Sequence, residues 1–183
     1  MDPRIQRTKN SIINAFIQLR SKKPLEKISI RELSQLAGIN KATFYLHYHD
    51  IYDLSQMLES EIIGSVVGSI RHPEYFVSKP GLFVRELHCA LVSQGGLLKT
   101  LFSGDRSFIL AERLEQGIVE YLRQYYPQAL ETPKNKALFT YMVYGSYYAY
   151  VLHRNQPETQ VLDAISEISE TLLTRYSIPP SKL

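Results

Sequence analysis

The chain has 183 residues, 44% hydrophobic and 21% charged, proportions of a globular protein rather than a disordered or fibrous one. A lone cysteine, Cys89, excludes an internal disulfide and any multi-cysteine metal site, and no apolar run is long enough to cross a bilayer. The net charge of +3 hides a gradient: residues 1–50 hold nine Lys and Arg against four Asp and Glu, and residues 51–183 hold twelve against fourteen.

Asp2 and Pro3 open a first helix, since proline is tolerated in the first turn. Ile5, Ile12, Ala15, Phe16 and Leu19 give it an apolar stripe as far as about Arg20. Arg4, Arg7, Lys9, Arg20, Lys22 and Lys23 lie mainly off that stripe, and Pro24 breaks the pattern. Ser29 to Glu32 then reads as a capping box, each side chain taking the other's amide. Ile30, Leu33, Leu36 and Ala37 form the apolar face of a short second helix. Gly38 sits where a helix ends in a left-handed residue, and Asn40 is a good N-cap for a third helix, Lys41 to about Tyr48. Phe44 and Tyr48 face inward there, which leaves Lys41, Thr43, Tyr45 and His47 outward. This is a helix-turn-helix pattern, in the basic part of the chain, where a polyanion-binding surface belongs.

Asp50 caps a long fourth helix, about Ile51 to Arg71, with Ile51, Leu54, Leu58, Ile62, Val66 and Ile70 as its apolar face. His72 to Pro80 reads as a loop. Further helices follow at about Gly81–Gln94, Leu97–Leu101, Ser107–Tyr126, Pro133–Arg154 and Glu158–Tyr176, and Pro179-Pro180 ends regular structure. The fold class is all-α, about nine helices: a helix-turn-helix unit over residues 1–50 and a larger helical body over 51–183. No nucleophile–base pair, metal constellation or phosphate loop is present, so neither an enzyme nor a cofactor is expected. The single cysteine and the absence of a secretory apolar segment suit a cytoplasmic protein.

Residues 8–58, above all ISIRELSQLAGINKATFYLHYHDIYDL, resemble the tetracycline-repressor (TetR) family of bacterial transcriptional regulators. The resemblance implies a homodimer bound to a partly palindromic double-stranded operator and released by a small-molecule effector, hence a repressor. It assigns Lys41, Thr43, Tyr45 and His47 to the DNA surface, and Leu46 to a thymine methyl. Arg31 would read a base, and an arginine can take guanine O6 and N7 together. One position departs: Ile51 stands where the family commonly has a phosphate-gripping lysine, which leaves that contact to the helix amides, to His49 or to nothing. The alternative within regulation is a co-activator whose C-terminal part binds a protein.

In the C-terminal part, Tyr141, Tyr144 and Tyr148 share one side of their helix and look either into the core or into a ligand pocket. Met142, Gly145, Ser146 and Ala149 form a smaller-residue strip suited to a close helix contact across a dimer. The resemblance implies dimerisation through the last two helices, Pro133–Arg154 and Glu158–Tyr176, the latter offering Val161, Ile165, Ile168 and Leu172. Arg85, His88 and Tyr121 are further pocket candidates, and Arg85 and His88 would recognise an anion if they face inward. Cys89 reads as a small buried hydrophobe.

Overall fold

Capped amphipathic segments separated by glycine and proline leave the chain no route to a sheet, and every regular element among the described residues is helical. The computed structural model describes residues 3–106 and 108–176. Asp2, Ser107 and Pro179-Pro180, expected as two helix starts and a stop, lie outside them. The α-helices are α1 (Pro3–Arg20), α2 (Ile30–Ala37), α3 (Lys41–Tyr45), α4 (Ile51–Gly68) and α5 (Tyr75–Ser78). They continue with α6 (Pro80–Ser93), α7 (Gly95–Leu101), α8 (Ile109–Tyr125), α9 (Pro133–Leu152) and α10 (Glu158–Tyr176). Short 3-10 turns stand at Leu25–Lys27, Gly104–Arg106 and Pro127–Leu130. The helix beyond the expected nine is α5, a single turn inside the stretch expected to be loop.

Two compact units emerge, and their division differs from the expected break after residue 50. The chain up to Glu61 joins the segment from Gly96 in one unit, and Ile62–Gly95 joins the chain from Phe108 in the other. The reason lies in side chains of the first half of α4 and in two arginines. The carboxylate of Glu59, fully buried, accepts Nε of Arg106 at 3.0 Å and Nη2 at 2.6 and 2.7 Å. Ser55 adds a hydroxyl donor at 2.8 Å. Arg20, expected off the apolar stripe, is buried instead; it donates to the carbonyls of Lys23 and Leu101 and to the Ser103 hydroxyl, each at 3.0 Å. Burial, and secondarily the charge of Arg106, lower its pKa. These bonds hold the segment after α7 to α1 and α4.

In the first unit α1 packs on α2 and α2 on α3, around Ile12, Phe16, Leu33, Phe44 and Leu54, none of them exposed. Ile5 and Leu36, expected in the apolar faces, are exposed, whereas Ser34 is buried. In the second unit α10 packs chiefly on α6. Gly81 permits the close approach, since a Cβ there would lie 2.9 Å from Oε1 of Glu170 and 3.1 Å from Cβ of Ser166. Among the described residues no helix is long and apolar enough to cross a membrane.

Candidate nucleic-acid interface and ligand cavity

The helix-turn-helix geometry is built by local hydrogen bonds. The Ser29 hydroxyl accepts the Glu32 amide at 3.2 Å. The reciprocal arm of the capping box is replaced, because the Glu32 carboxylate pairs with Lys23. Gly38 takes φ 68° and ψ 32°, and the amides of Gly38 and Ile39 bond back to Gln35 and Ser34, which closes the C-terminal turn of α2 as a left-handed glycine allows. Asn40 Oδ1 then accepts the Thr43 amide at 2.7 Å and caps α3.

α3 stops at Tyr45, short of Tyr48, yet the amides of Leu46, His47 and Tyr48 still bond to Ala42 and Phe44. Phe44 and Tyr48 therefore stay buried with their rings 5.7 Å apart. The remaining face points out: Lys41 and Arg31 are exposed, and His47 is half-buried. Tyr45 is 57% exposed and Leu46 82%. The Thr43 hydroxyl donates to Asn40 Oδ1 at 2.9 Å, which leaves its oxygen lone pairs for a further contact.

The α4 terminus accounts for Ile51. That side chain is buried and belongs to the core. Asp50 Oδ1 accepts the Asp53 amide and Asp53 Oδ2 accepts the His49 amide, both at 2.8 Å. Two carboxylates thus occupy amides that a phosphate would need, and their charge opposes a second anion.

The second unit holds an apolar cavity of about 90 Å³ among α5, α6, α8, α9 and α10. Phe76, Phe83 and Phe139 pack edge to face at one end, with centroids 5.6 and 5.7 Å apart. His88 and Tyr150, 4.6 Å apart, also line it. The exposed Glu158 accepts both His88 Nε2, at 2.8 Å, and the Tyr150 hydroxyl, at 2.9 Å. These two bonds hold the Glu158 carboxyl below its usual pKa, and burial pushes Tyr150 up.

Of the residues expected at a ligand, His88 alone borders this cavity. Arg85 pairs with Asp163. Tyr121 donates to the Ile70 carbonyl at 3.0 Å, and burial, aided by Tyr125, pushes its pKa up to about 12. Tyr141 and Tyr148 are exposed and Tyr144 is half-buried, none of them lining the cavity. On α9 the expected faces are exchanged in part. Met142 and Ser146, read as a dimer strip, line the cavity beside Val143, Tyr147 and Tyr150. The exposed stripe is instead Tyr141, Gly145, Tyr148 and Leu152. Ile165, expected at the dimer contact, is buried within its own chain, and Cys89 is exposed rather than buried. Phe139, Met142, Val143, Ser146, Tyr147 and Tyr150 recur at helical spacing along the inward face of α9, a face that the apolar residues all around this helix do not mark out in the sequence.

No protein-family model matches this sequence.

Proposed function

We propose that the chain is a TetR-like transcriptional regulator, a homodimer that binds operator DNA through α2 and α3 and is released by a small ligand held in the second unit. The observation that carries this reading is the outer face of α3. A five-residue helix, stapled by an Asn40 cap and a Gly38 turn, spends its buried side on Phe44 and presents Lys41, Tyr45 and Leu46 to solvent. An outward lysine, tyrosine and leucine on one short helix can meet a phosphate and a thymine methyl together. The charge balance of the first 50 residues supports a polyanion partner.

Two copies would set their α3 helices in successive major grooves, about 34–36 Å apart. The exposed stripe Tyr141, Gly145, Tyr148 and Leu152 follows one face of α9 and supports a second copy as the partner of that helix. α4 belongs to both compact units. A ligand that binds one arrangement of α4 better than another would shift the population away from the DNA-bound form.

The reading is tested by Tyr45→Phe and His47→Ala in a mobility-shift assay with genomic fragments that the wild-type chain retains. Each variant is expected to lose operator affinity while sedimenting like wild type. Undiminished binding by both would remove α3 from the interface.

A further inference from the structure

The positive charge that suits this chain to a polyanion does not lie on its helix-turn-helix. Residues 26–50 hold three Lys and Arg (Lys27, Arg31 and Lys41) against three acids (Glu26, Glu32 and Asp50). Residues 3–25 hold six, Arg4, Arg7, Lys9, Arg20, Lys22 and Lys23, and no Asp or Glu. The surplus therefore belongs to α1 and the turn after it. Two of the six are engaged inside the fold: Arg20 is buried against Leu101 and Ser103, and Lys23 pairs with Glu32. Lys22 is exposed just past the C-terminal end of α1. Arg4, Arg7 and Lys9 stand together near its start, the two arginines exposed and Lys9 half-buried.

Those first turns also carry a helix face that the fold leaves open. Ile5 and Thr8 continue the stripe of Ile12, Ala15 and Leu19 at helical spacing. Burial along α1 nevertheless begins only at Ile12, and Ile5 is 45% exposed. By the helical turn, Arg4 and Lys9 stand on opposite flanks of Ile5, and Arg7 lies farther round. The other end of α1 is anchored by Arg20, and Arg4 lies about 24 Å along the axis from it. α4 runs likewise from Glu59, a charged neighbour of Arg20, back to Ile51. The basic turns and the start of α4, where α3 leads in, are thus both helix ends remote from that anchor.

Binding to duplex DNA draws most of its strength from cations that neutralise phosphates. The α4 terminus supplies none, since Asp50 and Asp53 take its amides, and the helix-turn-helix has no surplus to give. A guanidinium meets a phosphate through two N–H groups and an ammonium meets it as a point charge, neither depending on the base. The single exposed Ile5 offers a lipid surface little apolar area, whereas cations without acids complement a phosphate backbone.

We infer that the first turns of α1 are a second DNA contact. Arg4, Arg7 and Lys9 grip the sugar-phosphate backbone beside the groove that α3 enters, and add affinity without reading sequence. This rests on the reading of α3 as a DNA-binding helix.

The test is a salt titration of the full chain, followed by fluorescence anisotropy. It uses a duplex that the wild-type chain selects from a random pool, and a scrambled duplex of equal length. Log affinity falls against log salt concentration by roughly 0.9 for each phosphate neutralised. Arg4→Gln with Arg7→Gln and Lys9→Gln is expected to lower that slope by about 2–3 for each bound copy. The same variant should weaken both duplexes by one factor, so that preference between them is kept. Arg4→Lys with Arg7→Lys retains the charge and should retain the slope. If the triple variant loses its helical circular dichroism, Arg7→Gln alone decides, with a slope change of about 1. An unchanged slope, or a loss confined to the selected duplex, would overturn the inference. So would an unchanged slope with loss of binding to phosphatidylglycerol vesicles, which would assign the face to a membrane. The two proposals fail separately. A wild-type chain that selects no duplex removes the reading of α3 and the α1 contact with it. A wild-type chain that selects a duplex with the salt slope of the triple variant removes the α1 contact alone.

Discussion

Glu59 is a buried carboxylate that takes the fork of Arg106, 47 residues later. Removing the guanidinium from a buried ion pair typically costs about 3–5 kcal/mol. Arg106→Met is therefore expected to lower the free energy of unfolding in urea titrations by that much, and an unchanged midpoint would show the pair to be dispensable. Neither this pair nor the burial of Arg20 was legible in the sequence. A charged residue's partner is fixed by tertiary contact, and Leu101 and Ser103 lie 81 and 83 residues from Arg20. Tyr121 gives a pH prediction. Its pKa is raised from 10.0 to about 12, first by burial and then by Tyr125. A raised folded-state pKa contributes stability that is complete below pH 10 and lost as pH climbs toward about 12. In denaturant midpoints taken across that window, Tyr121→Phe should fall less steeply than wild type. Parallel slopes would contradict the assignment.

At the level of elements, the helix-turn-helix was legible almost residue by residue because its determinants are local. Ser29, Gly38, Asn40 and Asp50 each act on an amide or carbonyl within five residues. The face of α9 was not, since tyrosine, valine, methionine and alanine surround that helix and periodicity selects no side. Two glycines test the geometry. Gly38→Ala must place a Cβ on a residue at φ 68°, at a cost of about 1–2 kcal/mol. Gly117 lies mid-helix in α8, where alanine would be favoured by about 1 kcal/mol from propensity. A Cβ there, however, would sit 2.5 Å from Cγ2 of Ile63, and overpacking costs about 1–3 kcal/mol. The contact outweighs propensity, so Gly117→Ala should destabilise in thermal or urea unfolding. A stabilised variant would mean that α8 and that part of α4 part easily.

For the whole molecule, the all-helical class and the order of the long helices follow from the sequence, but the division into units does not. Tertiary contacts, rather than a composition shift, join the start of α4 and the segment after Gly95 to the helix-turn-helix unit. The proposed dimer rests on the outward stripe of α9, where Tyr141 is 66% exposed and Leu152 72%. Tyr141→Glu with Leu152→Glu should convert the proposed dimer to a monomer in sedimentation velocity and weaken operator binding with it, because one α3 helix would read only half a site. Retained dimerisation would move the interface elsewhere.

The central claim is that α3 reads double-stranded DNA, and selection of bound sequences from a random duplex pool tests it most directly. The account predicts enrichment of an inverted repeat whose half-sites are centred about one helical turn apart, or a multiple of it, with enrichment lost in the Tyr45→Phe, His47→Ala double variant. A pool that stays random after selection with folded wild-type protein would contradict it.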